Sequence, residues 1–200
     1  MKKVLILYPE QFKSFSKFHR KVLRIIQYSD AITFMFMNDP NDFIKKFSSI
    51  EGSDDLVKVN SLQSCQFTHA IVFDDGEEFC EEVSYIESLK KPLRVINISI
   101  TRVINIKNNN HYQGLKSTDD YEYIGRRSYW GNPYSMLEAG ESREEVIRKY
   151  KYDFEFDKFP NKDKSKVYEL SGKRLGCFCK PQECHGDVLA DFLNSWDDGK

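Results

Sequence analysis

Long apolar runs are missing from this 200-residue chain. None approaches the ~20 residues that span a bilayer, so a membrane-spanning protein is not expected. The first apolar run, within MKKVLILYPEQF, is too short for a secretory h-region and lacks a small-residue cleavage site. It reads as a strand, and the chain is expected to be cytoplasmic. Charge excess is also missing: 30 basic residues face 31 acidic ones. That balance disfavours a protein whose main task is to coat a nucleic-acid backbone, and a nucleic-acid end is not the favoured partner. With only 10 Gly and 6 Pro, the chain is not of low complexity. Without an export signal, its five cysteines are expected to be reduced thiols rather than disulfides.

What is present is an α/β pattern. In residues 1–105 the strand-like runs KVLILY, AITFMFM, HAIVFDD and PLRVINIS alternate with helix-like segments at 15–29, 41–50 and 77–91. That alternation predicts βαβ units and a parallel sheet of Rossmann-like type. Residues 106–120 are polar and aperiodic, and read as a linker or loop. Residues 121–200 then predict a smaller α/β domain. It has strands at 121–125 and 173–179, a helix opened by the capping box Ser142-x-x-Glu145, a short helix stopped by Gly172, and a helix over 185–196.

In open α/β sheets ligands sit at the carboxyl ends of the strands. In the first half that end is HAIVFDDGEEFCEEV, with Asp75, Glu77 and Glu78 as candidate catalytic acids. Acids in a first helical turn also favour the helix dipole with no further role. Continued as SYIESLKKPLRVINI, the stretch resembles the Rossmann-like superfamily of nucleoside deoxyribosyltransferases, lysine-decarboxylase-like phosphoribohydrolases and DprA-type nucleotide-binding proteins. That resemblance implies a nucleoside or nucleotide ligand. Two glycine-bearing positions depart from it: the first strand runs into YPEQF, and Glu-Glu follows Gly76. Carboxylates there suit ribose hydroxyls or an oxocarbenium-like sugar better than phosphate.

The second half carries YIGRRSYWGNPY and LSGKRLGCFCKPQECHGDVLADFL. Both motifs, in that order, resemble domain-of-unknown-function family 4326 of bacteria and phages over about residues 121–193. Arg126 and Arg127 offer planar donor forks for phosphate or carboxylate. Tyr129 and Trp130 offer flat faces, and Asn132, in a Gly-Asn-Pro turn, offers an amide edge. A packed Trp130 and solvated arginines are the plainer alternative.

The cysteine cluster has three readings. Cys184, at the start of the last helix, is a candidate thiolate partnered by His185, with Asp187 orienting His185 or a substrate hydroxyl. No cofactor is expected; if zinc is bound, Cys177, Cys179, Cys184 and His185 would be its ligands, although adjacent helical residues diverge by about 100°. Buried packing is the third, and fits Cys177 and Cys179 best.

The function expected from these residues is cleavage or transfer of an N-glycosidic bond in a nucleoside or nucleotide. Two alternatives stand beside it: a non-catalytic sensor or sequestering protein for a nucleotide-derived ligand, and a metal-stabilised adaptor. A residue usage rich in Lys, Asn, Ile, Phe and Tyr is compatible with an AT-rich genome such as that of a large phage, and a phage role would allow evasion of host defence. The oligomeric state is not legible.

Overall fold

The computed structural model describes all residues except 1, 30, 53–54, 113, 137–139 and 160. It divides into two compact units, residues 1–98 with 195–200, and residues 99–194.

The first unit is built on a five-stranded parallel sheet of order β3-β2-β1-β4-β5. The strands are β1 (Lys2–Leu7), β2 (Ile32–Phe36), β3 (Leu56–Lys58), β4 (His69–Asp74) and β5 (Leu93–Asn97). The three central ones are near-continuous apolar runs because helices cover a parallel sheet on both faces. Leu5, Ile6, Val72 and Phe73 are fully buried or nearly so. Helices α1 (Phe15–Ile26), α2 (Phe43–Glu51) and α3 (Cys80–Ser88) connect the strands. Strand order changes direction between β1 and β4, where a doubly wound sheet opens its ligand crevice. Here aromatic side chains fill that end. Phe12 is buried and stacks on Phe73 with ring centroids 5.1 Å apart, and Tyr8 stacks on Phe43 at 5.3 Å. The Tyr8 hydroxyl donates to Asp39, whose carboxylate accepts the Ile44 and Lys45 amides at the start of α2. The tail returns to α1: Lys17 pairs with Asp198 at 2.8 Å and Arg20 with Asp197 at 2.7 Å.

The second unit has a three-stranded parallel sheet of order β6-β8-β7, with β6 (Arg102–Asn105), β7 (Tyr121–Tyr123) and β8 (Arg174–Cys177). Helix α4 (Arg143–Glu155) opens with the expected reciprocal capping box of Ser142 and Glu145. A 3₁₀ helix spans Lys164–Leu170, and α5 spans His185–Ser195. Its core gathers Ile124, Trp130, Tyr150, Phe154, Leu175 and Leu189. Two polar residues are buried with it. Thr101 donates its amide to Asn194 Oδ1 at 2.9 Å and accepts Asn194 Nδ2 at its carbonyl at 3.0 Å. Its hydroxyl donates to the Leu170 carbonyl and accepts the Gly172 amide.

The boundaries differ from the sequence expectation. β6 falls inside the 1–105 segment, yet pairs with β8 of the second sheet. The 106–120 segment is also more than a linker: it carries 3₁₀ turns at Ile106–Asn108 and Asn110–Tyr112. Helix α3 starts at Cys80, three residues later than predicted. Asp74 and Asp75 hold the amides of Gly76, Glu77 and Glu78 in a loop, and Gly76 adopts φ +85°, which favours glycine.

Candidate functional site

The cysteine cluster lies at the carboxyl end of the small sheet, a position analogous to the one that sequence reasoning sought in the large one. β8 ends at Cys177, the chain turns through Cys179–Gln182, and α5 begins at His185. Cys184 therefore precedes the helix, and the 100° divergence expected of neighbouring helical residues does not apply. Its Sγ lies 3.6 Å from His185 Nδ1. The thiols of Cys177 and Cys179 are 3.5 Å apart. Ligand atoms of Cys177, Cys184 and His185 all fall within 4.8 Å of one another, and all three residues are buried. Cys177 is thus part of the cluster and not merely support for it, while Cys179 touches it from the half-buried turn.

The histidine tautomer follows from its partners. His185 Nε2 lies 2.8 Å from the Ile124 carbonyl oxygen, which can only accept, so Nε2 carries the proton. Burial holds the ring below the usual imidazole range, so it is neutral and Nδ1 turns a lone pair toward Cys184. Cys177 is shifted down, chiefly because Cys184 donates to it, whereas Cys184 is shifted up as that donor and by burial. The Gly186 amide donates to Cys184 Sγ at 3.4 Å, but that helix-start bond does not outweigh the neighbouring sulfur.

A cavity of about 260 Å³ opens over this cluster, lined among others by Arg126, Asn132, Tyr134, Arg143 and Glu183. A second, of about 530 Å³, is lined by Tyr123, Arg127, Ser128 and Tyr129 and shares Arg126 and Phe178 with the first. Arg126, Arg127, Tyr129 and Phe178 are exposed. The Ser128 hydroxyl is buried, with no hydrogen-bond partner among the described residues.

Other predicted residues serve different ends. Trp130 is a core residue, 4% exposed and edge-on to Phe154, so its ring offers no face to a ligand; its carbonyl accepts the Tyr150 hydroxyl. Asn132 lines the smaller cavity, but its amide is engaged with the Val146 carbonyl and the Tyr134 amide. Asp187 accepts the Cys184 amide at 2.9 Å and pairs with Lys180 at 2.6 Å, which fixes the entry to α5. Asp75 accepts the Glu77 and Glu78 amides, while Glu77 and Glu78 are exposed in that loop of the first unit. Sequence reasoning missed Phe178, Arg143 and Glu183. Phe178 carried a signal, since strand alternation in Cys-Phe-Cys sends it away from both cysteines.

Comparison with known proteins also divides the chain in two, but at residues 104/105, so that most of β6 falls with the first region. Residues 1–104 match the model of the minimal SLOG domain. The chain belongs to the minimal SLOG family. Its residues 105–195 match the domain of unknown function DUF4326, so this SLOG protein carries both regions that the motifs pointed to. One curated relative is the "Uncharacterized 12.4 kDa protein in nrdA-td intergenic region" of Enterobacteria phage T4, 44% identical over 72 residues. The match covers 36% of this chain and 65% of the relative, so the chain spans just under two thirds of that protein's length. No solved structure matches the SLOG protein. Among the described residues no helix is long and apolar enough to cross a membrane.

Proposed function

We propose that this SLOG protein binds a nucleoside- or nucleotide-class ligand in the second unit, across the two cavities that meet at Arg126 and Phe178. The observation that carries the reading is that shared rim. A guanidinium able to take phosphate or carboxylate stands beside exposed aromatic faces of Phe178 and Tyr129, a combination that suits an anion joined to a flat ring. The resemblance of the first half to nucleoside- and nucleotide-handling proteins supports the same ligand class. The crevice end of the first sheet supports it less, because Phe12 and Tyr8 pack where backbone would approach a phosphate.

The test is retention of ligand. Purified protein is incubated with nucleosides, mononucleotides, dinucleotide cofactors and cyclic nucleotides, and both solution and protein-bound fractions are resolved by chromatography. A charge-assisted hydrogen bond contributes about 1.5–3 kcal/mol, so Arg126→Ala weakens binding by roughly 10- to 150-fold. Binding unchanged in both Arg126→Ala and Phe178→Ala overturns this placement.

A second reading, cleavage or transfer of an N-glycosidic bond, draws on the Cys184–His185 contact and on Glu183, a residue that lines the same cavity. It predicts free base or sugar phosphate accumulating with time, and loss of that turnover in Cys184→Ala. Turnover surviving in Glu77→Gln/Glu78→Gln removes those acids from the chemistry. Ligand retained unaltered makes the protein a sensor or sequestering protein.

A further inference from the structure

The sulfur cluster at the end of β8 calls for an explanation that ligand binding does not supply. Thiols are weak donors and weak acceptors, yet Cys177, Cys184 and His185 converge in a buried space, with Cys179 against Cys177. We propose that these four residues hold one thiophilic divalent cation of the zinc class, tying the end of β8 to the start of α5.

Three observations carry the proposal. The first is spacing. Zn–S bonds of about 2.3 Å and Zn–N bonds of about 2.0–2.1 Å in a tetrahedron set ligand edges of roughly 3.8 Å for S–S and 3.6 Å for S–N. The Cys184–His185 separation is 3.6 Å, and the Cys177 sulfur lies within 4.8 Å of both. The second is the histidine. Metal-bound imidazoles usually give their other ring N–H to a carboxylate, carbonyl or water, fixing the tautomer. His185 does this with Ile124 and leaves Nδ1 facing the sulfurs. The third is the outer shell. The Gly186 amide donates to Cys184 Sγ. Cys179 is the one ligand that must move, because its sulfur lies outside the mutual 4.8 Å set. It sits half-buried in the turn after β8.

The proposal goes beyond the nucleotide reading and does not depend on it. It excludes Cys184 as a free nucleophile, since a ligand sulfur is committed to the metal. The experiment measures zinc by mass spectrometry in full-length protein purified without chelator, then in the same protein stripped and reloaded. One zinc per chain is expected. A Cys177→Ala/His185→Ala variant loses it, with circular dichroism reporting whether the fold survives. Should that variant unfold, the cobalt-loaded wild-type protein decides: tetrahedral thiolate ligation gives intense d–d and sulfur-to-metal charge-transfer bands, and Cys179→Ser weakens the latter. Arg126→Ala weakens ligand retention on the proposed function but leaves zinc at one per chain, which separates the two readings. Wild-type protein that takes up no stoichiometric zinc after reloading overturns the proposal. So does zinc held equally well by a folded double variant, or cobalt bound without thiolate bands.

Discussion

Asn194 lies at the end of the last helix, away from the cysteines, and its loss is expected to be the most destabilising single polar change in the second unit. Its amide holds both the N–H and the C=O of Thr101, at 2.9 and 3.0 Å, with both residues buried. Asn194→Ala removes two hydrogen bonds worth about 1 kcal/mol each, and leaves two buried backbone groups each costing about 1–3 kcal/mol if water does not reach them. With partial solvation the expected loss is about 2–4 kcal/mol. For a unit of roughly 100 residues, 1 kcal/mol moves Tm by about 4–8 °C, so the shift is roughly 10–25 °C. The assay is thermal unfolding followed by fluorescence in a Trp196→Phe background. Trp130, buried in the second unit, is then the reporter. Asn194→Asp sharpens the test: its carboxylate still accepts from the Thr101 amide but opposes the Thr101 carbonyl. Its folded pKa is therefore raised, and that variant should regain stability as pH falls, because the folded state binds the extra proton. A cost below about 0.5 kcal/mol for Asn194→Ala, the range of an ordinary surface change, would refute the reasoning.

Three further outcomes follow from other sites. Tyr121 is fully buried and its hydroxyl has no hydrogen-bond partner among the described residues, so Tyr121→Phe should be neutral or stabilising by up to about 1 kcal/mol in denaturant titration. The Tyr134 hydroxyl donates to Asp153, which pushes its pKa up to about 12. An unfolded tyrosine ionises near 10, so this contribution is complete below about pH 10 and is lost as pH rises toward 12; alkaline unfolding curves of Tyr134→Phe should fall less steeply across that window. At Gly186 a Cβ would come within 2.4 Å of Ile124 Cδ1, which is itself fully buried. Gly186→Ala should therefore cost about 1–3 kcal/mol by overpacking, and an unchanged melting point would mean that the helix start yields freely.

The sequence exposed what local chemistry dictates. β1, β2 and β4 are legible because a strand covered on both faces is written as an unbroken apolar run, and the Ser142–Glu145 box because both reciprocal bonds lie within one turn. β3 was not legible: three residues, two of them exposed, leave no period to detect. β6 was obscured differently. PLRVINISITRVIN reads as one strand-rich stretch, and nothing local says that Arg102–Asn105 leaves the first sheet for the second. At the site, the residue types were visible but their grouping was not. Whether Cys184 and His185 can meet depends on where α5 begins, and that is fixed partly by Asp187 accepting the Cys184 amide. Trp130 is enclosed and Phe178 is exposed, and only tertiary packing decides between the two readings that Trp130 allowed.

The return of the tail to α1 bears on the order in which this protein is made. Residues 1–98 leave the ribosome first, yet Lys17 and Arg20 meet Asp198 and Asp197 only after the whole second unit has been synthesised. At about 5–20 residues per second, the first sheet waits roughly 5–20 s for those partners. In that interval the Lys17 ammonium, only 10% exposed in the finished protein, lacks its carboxylate. Assembly is nested: the unit begun first is closed last.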